Sequence, residues 1–559
     1  MKKRILSLLI TLALITALPV VALPVYASAA DESHWGYEMM ADLVLKEVLD
    51  VMPEDPDEFI TREEFCVMLA KAVLRRTGSV LPEAMITAAV FEDADQISEE
   101  NLPYIMYLYD MKILYGFDID GKLHMGPERL LIRQEAIAFL GRWLSLDTEK
   151  RVLADTLFTD DDEIDDYARS LVYQLTGLTI IEGYPDGSFK PQRNISHAET
   201  STLVYKILEH KILLTYFGDG NFGNMNGSSA EARFAIPSGL CLDSDGSLII
   251  FDTFNAGVKQ IKSGMSETIL GFTTFIDDYG FAHPYYLDAI QDDALFGRPT
   301  DGVIAPNGDL FIADSANNAI RLLRDGMVYT FAGGVQGYAN GRYGDAMFDS
   351  PSAIAIDSAG NLYIADTMNH AIRRITPEGV VSTIAGGSQQ SGYRDGRAAQ
   401  ALFNEPAGIA VGENGVIYVA DTGNHVIRKI ENGNVTTVAG IYTAPEAGED
   451  YDEGGFVDGL AGDAMFSFPH GLYHVFGGDV GDNILFIADT GNHTIRALTA
   501  DGRVITVAGS GEPGDADGPP AAAMMNKPTG IVYTGGILYI ADSLNNKIKA
   551  VSFDLDSLD

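Results

Sequence analysis

The sequence predicts a two-part chain: an α-helical three-repeat bundle, then an all-β six-bladed propeller closed by a strand that precedes its first blade. Three observations carry this prediction. An Asp-x-x-Asn turn recurs six times in the C-terminal half, short apolar runs of strand character flank every copy, and three similar helix starts punctuate the N-terminal half. Regular reuse of one unit marks a repeat architecture.

Taken in order, the 559-residue chain opens with Lys2, Lys3 and Arg4, an apolar run from Ile5 to Tyr26, and Ala27-Ser28-Ala29. That order fits a secretory signal peptide over residues 1–29, and Pro19 and Pro24 argue for cleavage rather than a retained anchor. No later segment is long and apolar enough to span a bilayer, so no membrane insertion is expected after cleavage. The formal charge of −41 becomes −44 once the three cations leave with the leader. Such an excess of carboxylates repels phosphate backbones, which argues against nucleic acid as a partner. The two cysteines, Cys66 in a helical pattern and Cys241 in a strand pattern, fall in different parts of the chain and read as buried small residues.

The helical half divides into repeats at 30–80, 88–148 and 154–211. Their helix starts are "ITREEF" at Ile60, "LIRQEA" at Leu131 and "ISHAET" at Ile195. Thr61 with Glu64, and Ser196 with Glu199, have the spacing of a capping box. The third start follows a turn-rich stretch, "GYPDGSFKPQRN"; the second follows the looser "LYGFDIDGKLHMGPER", and the first lacks the glycine-rich part. This pattern resembles the S-layer homology domain.

The resemblance implies binding of secondary cell-wall polysaccharide in grooves between repeats, and hence a secreted bacterial protein held at the cell wall. Arginine at a helix start joins a rigid fork of donors to the positive end of the helix dipole, which suits a sugar carboxylate such as a pyruvyl ketal. Arg62 and Arg133 hold that position, and His197 holds it in the third repeat. A histidine is charged only in mild acid, so the third groove is expected to be weakened or structural. Trp35 and Asp186 also match family positions, as a groove wall and within a turn.

The propeller is placed at 212–555. Its Asp/Asn pairs are Asp252/Asn255, Asp314/Asn317, Asp366/Asn369, Asp421/Asn424, Asp489/Asn492 and Asp542/Asn545. Short polar side chains suit such a turn because they bond nearby backbone. Seven residues past each Asp stands a cation, Lys259, Arg321, Arg373, Arg428, Arg496 or Lys549, expected to pair with a repeated Asp of its own or a neighbouring unit. A proline opens each unit and a fourth strand such as "VSTIAGG" ends it, giving four strands per blade. Between units, Ala with Phe or Met recurs (Phe234, Phe296, Phe348, Phe403, Phe466, Met525), and the large residue is expected to plug the seam between blades. The last unit stops after three strands, so "ILLTYFGDG", Ile212 to Gly220, should complete it and leave no open edge. The composite "PxGIAV…GxIYVADTGNHVIRKI…GNVTTVAG" resembles NHL repeats, which implies six-bladed propellers.

The residues after the repeat prolines begin the innermost strands and are the candidate ligand positions at the channel mouth: Ser238, Thr300, Ser352, Ala407, His470 and Thr529, with Asp301 beside them. One histidine there cannot supply a three-ligand zinc site. His370, His425 and His493 occupy equivalent turns on successive blades and point to different places around the axis. The acidic loop from Glu446 to Asp458 is the one candidate for Ca²⁺. The preferred reading is a wall-anchored protein whose propeller offers a rigid face to an unidentified protein, peptide or glycan. The alternative is a surface-tethered metal-dependent enzyme of lyase or lactonase type, since fold alone does not decide function.

Overall fold

A computed structural model describes residues 34–77, 81, 90–144, 158–177, 180–209, 212–229, 231–262, 264–271, 286–387, 389–445, 454–476, 483–552 and 555. The expected signal peptide over 1–29 and the acidic run Glu446 to Glu453 lie outside them. No helix among the described residues is long and apolar enough to cross a membrane.

Among the described residues six α-helices build the N-terminal part: α1 Tyr37–Leu45, α2 Arg62–Thr77, α3 Leu102–Asp110, α4 Arg133–Trp143, α5 Asp166–Gly177 and α6 His197–Glu209. Helix α2 packs on α3, α4 on α5, and α6 returns to α1. A ring of backbone bonds ties the three helix starts together: Ile60 N–H donates to Ile195 O, Ile195 N–H to Leu131 O, and Leu131 N–H to Ile60 O. All three side chains are buried within one apolar core. A second ring of bonds runs one step outward in the reverse cyclic order, where Arg62 N–H donates to Arg129 O, Arg133 N–H to Arg193 O and His197 N–H to Glu58 O. The capping boxes form as the spacing predicts, with Thr61 N–H on Glu64 Oε2 at 2.9 Å and Ser196 N–H on Glu199 Oε2 at 3.1 Å. Ile132 has no side-chain acceptor and keeps only its own N–H bond to Glu135.

The C-terminal part is a six-bladed β-propeller. Blade 1 is four-stranded, and so is blade 6, whose outermost strand is Leu213–Phe217, paired antiparallel to Lys547–Ser552 with Leu213 opposite Val551. The strand before the first blade thus closes the ring. Blades 2 to 5 carry a fifth, two-residue outer strand each, at Ala289–Ile290, Gly341–Arg342, Gly396–Arg397 and Gly459–Leu460. This corrects the expectation of four strands per blade: the segments between units plug the seams and are also extended enough to add an edge.

Cores form between blades. Phe234, Phe296, Phe348, Phe403, Phe466 and Met525 are all buried, each in a cluster shared by two neighbouring blades. The closing strand divides its side chains: Leu213 enters the blade 5/6 core while Ile212 and Leu214 enter the helical core. Tyr216 is enclosed at the same junction, where burial holds its hydroxyl well above the usual tyrosine pKa.

Candidate functional site

Each blade is organised about its buried Asp. One carboxylate oxygen accepts a backbone N–H from the segment entering the blade, as from Asp349 to Asp366 at 2.8 Å. The other accepts from the Asn three residues on, Asn369 Nδ2 at 2.9 Å, and from the cation seven residues on, Arg373 Nη1 at 2.6 Å. Blades 2 to 5 repeat this with Arg, always within one blade. Blades 1 and 6, which meet at the closure, have lysine: Lys549 lies 3.9 Å from Asp542, and Lys259 turns to Asn226 at 2.8 Å. Burial raises Asp366, Asp421 and Asp489 to about 6 and Asp252 to about 7.

Sequence reasoning missed the cage around each arginine. Arg373 lies between Tyr338 at 4.9 Å and Phe348 at 5.1 Å; Arg428 lies between Tyr393 and Phe403, Arg496 between Phe456 and Phe466, and Arg321 between Tyr286 and Phe296. Stacking on two rings offsets part of the cost of burying a guanidinium. A signal existed: aromatic-x-Asp/Asn recurs at Tyr338-Ala339-Asn340, Tyr393-Arg394-Asp395 and Phe456-Val457-Asp458. Asp458, the last residue of the acidic loop, is committed to this network by accepting from Arg496 Nε at 3.0 Å.

At the inner rim the predicted hydroxyls stitch blades together. Ser238 Oγ and Thr253 Oγ1 share a bond of 2.6 Å, and Thr253 Oγ1 donates to Pro299 O of the next blade at 2.8 Å. Ser352 pairs with Thr367, and Thr529 with Ser543, in the same manner. Thr300 Oγ1 donates to Ala313 O at 3.3 Å.

Asp301 differs from these. It occupies the third position of its strand, where the other blades have Gly239, Ala353, Gly408, Gly471 and Gly530. Its Oδ2 accepts Ile354 N–H of the neighbouring blade at 3.0 Å, no cation among the described residues pairs with it, and enclosure raises its pKa to about 7. Enclosure also pushes His470 down to about 4 and the Cys241 thiol well up. Among the described residues no three His, Cys, Asp or Glu side chains group as metal ligands.

In the helical part, Arg62 is 4% exposed; its Nε donates to Met125 O and its Nη2 to Tyr115 O, both at 2.8 Å. Its guanidinium lies 4.8 Å from the Phe139 ring centre and 5.9 Å from that of Phe117, and Glu135 is 3.7 Å away. Arg133, 8% exposed, sits over Phe189 at 5.1 Å and Tyr184 at 5.2 Å, with Nη2 on Glu182 O at 3.0 Å. Its Nε is buried without a partner. Burial lowers the pKa of both arginines. His197 reaches only toward Glu64, at 3.9 Å. Trp35 is 57% exposed beside His34. Asp186 forms a turn, and bonds from Ser188 hold its carboxyl down at about 2.

Residues 157–201 match the S-layer homology domain, and residues 348–375 and 403–430 match the NHL repeat. The chain is 30% identical to NHL repeat-containing protein 2 of Gallus gallus over 351 residues, 56% of this chain and 46% of that protein. It is 28% identical to human Teneurin-4 over 242 residues, 39% of this chain and 8% of that one. The chain therefore spans less than half the length of these relatives. An auxiliary nutrient binding protein from Bacteroides thetaiotaomicron superposes with a TM-score of 0.47 at 16% identity, covering 66% of this chain and 81% of that one.

Proposed function

Because the chain joins an S-layer homology domain to a six-bladed propeller carrying NHL repeats, we propose that it is a secreted cell-wall protein whose helical module holds secondary cell-wall polysaccharide. In this reading the propeller presents a rigid face to a protein, peptide or glycan. The observation that carries the anchoring role is Arg133: a guanidinium 8% exposed, stacked on two aromatic rings, with a buried Nε that no group among the described residues satisfies. A buried donor without a partner costs about 1–3 kcal/mol, a cost that an acidic ligand would relieve. Arg62, equivalent by the ring of backbone bonds, serves the neighbouring groove.

Retention of the full-length mature protein on purified wall sacculi tests this. Binding should disappear when the secondary polysaccharide is stripped and weaken at least tenfold in Arg133→Gln. Equal retention on stripped walls would sink the proposal.

A second reading draws on Asp301, a carboxylate with no cation partner among the described residues, at a strand position where the other blades have Gly or Ala. A tethered metal-dependent enzyme would show stoichiometric divalent metal that Asp301→Asn abolishes, together with turnover. Ligand binding unaffected by chelators would favour the display role.

A further inference from the structure

The three inter-repeat grooves are chemically unequal. The cyclic backbone bonds bring Arg62 to Arg129, Arg133 to Arg193, and His197 to Glu58. Two residues beyond each helix start stand Glu135, Glu199 and Glu64, in the same cyclic order.

In the first groove Arg62 and Arg129 flank the Phe117 ring, at 5.9 and 5.2 Å from its centre, and Glu135 pairs with Arg129. In the second, Arg133 and Arg193 flank Tyr184 at 5.2 and 5.5 Å, and Glu199 pairs with Arg193. Each set has two guanidiniums, one carboxylate and an aromatic plate between the cations. Arg129 and Arg193 are partly exposed, at 46% and 35% of their side chains, so both grooves keep a cation facing water.

The third groove reverses this. Glu58 replaces the exposed arginine, His197 replaces the buried one, and Glu64 remains, so the set carries two carboxylates and no permanent cation. No aromatic residue lies between Lys46 and Glu54, the stretch that corresponds to Phe117 and Tyr184. Asp57 adds a further carboxylate, bonded to His34 at 3.3 Å.

We infer that the chain holds acidic glycan at two grooves only, and that the third excludes it by charge. This rests on the proposed anchoring function. A ligand carboxylate entering the third groove would meet Glu58, Glu64 and Asp57 with only His197 and His34 to oppose them, and like charges at short range disfavour binding.

Calorimetric titration of the full-length mature protein with a methyl glycoside carrying a pyruvate ketal tests the inference. The control sugar is the isopropylidene ketal, in which a methyl replaces the carboxylate. The expected stoichiometry is two, with the control at least tenfold weaker. Arg129→Ala and Arg193→Ala, at partly exposed positions that spare the fold, should each weaken one site about tenfold. His197→Ala should leave both sites intact. The pair Glu58→Arg and His197→Arg should add a third. Three sites in the natural protein, a single site, a site lost in His197→Ala, or a double variant that stays at two would overturn the charge argument while leaving wall anchoring in place. No binding, or equal binding of both sugars, would instead overturn the anchoring function itself.

Discussion

His425 Nδ1 accepts the backbone N–H of Phe468 from the next blade at 2.8 Å, their rings edge to face at 4.5 Å. His370 with Glu405 and His493 with Lys527 repeat the bond at 3.1 Å, and the amides of Asn318 and Asn546 accept from Ser350 and Ile236 in the same way. The accepting residues all have φ between 51° and 57°, a left-handed conformation that Asn and His tolerate. Blade 1 has Ala256 there, without an acceptor, and Arg298 of blade 2 bonds to Asp314 instead.

Acid should therefore loosen the ring. Burial lowers the pKa of His370 and His493 below 6.5 in the folded chain. The unfolded chain then binds protons more readily, so this stability is present above pH 6.5 and lost as pH falls through the folded-state values. Replacing His370, His425 and His493 by Asn, the residue used in two other blades, should preserve the bonds and flatten the loss between pH 6.5 and 4, worth about 1 kcal/mol per bond. Thermal melts across that range would read it, and parallel curves for both proteins would refute it.

Arg373→Met strips the countercharge from a buried Asp366 and should cost about 3–5 kcal/mol. Adding Asp366→Asn should recover part of the loss, because the uncompensated charge goes with it. Urea denaturation would check this; a single-variant loss below about 1 kcal/mol would show that Asn369 and the backbone suffice.

Asp301→Asn should stabilise the protein at pH 8 and leave it unchanged at pH 4. A carboxyl raised from 3.8 to about 7 favours the protonated folded state, so its contribution is present below pH 3.8 and lost as pH rises through 7. The gain at pH 8 is roughly 2–4 kcal/mol. Denaturation midpoints at the two pH values decide it, and no gain at pH 8 would mean water reaches the carboxylate.

Gly408→Ala would place a Cβ 1.7 Å from His470 O, whereas nothing lies within 4 Å of a Cβ at Gly344. The first should cost about 3 kcal/mol or more and the second less than about 0.5. Comparable melting temperatures for the two variants would refute the close approach of inner strands.

The blade count and the Asp-Asn-cation pairing were legible because the unit repeats with little variation, and the closing strand because the last unit stops one strand short of the others. What escaped depends on contacts between units. The cage residues Tyr286, Tyr338 and Tyr393 each sit 35 positions before the arginine they cover and Phe456 sits 40 before its own, a separation across the blade too long for local pattern reading. His370, His425 and His493 escaped because each accepts from a backbone amide of the next blade, which leaves no residue type to recognise. In the helical half, the correspondence of Arg129, Arg193 and Glu58 emerges only from the ring of backbone bonds, because the stretch before Ile60 lacks the glycine-rich turn that precedes the other two helix starts.

The closing strand also fixes how the molecule would bear load. Helix α6 feeds almost directly into Leu213–Phe217, whose partners run from Val551 back to Ile548. Tension between a glycan gripped by the helical module and a partner gripped by the propeller would pull along that strand's length. Its ladder would be sheared with the bonds sharing the force, and Leu213 and Leu214, gripped by two different cores, would act as the clamp.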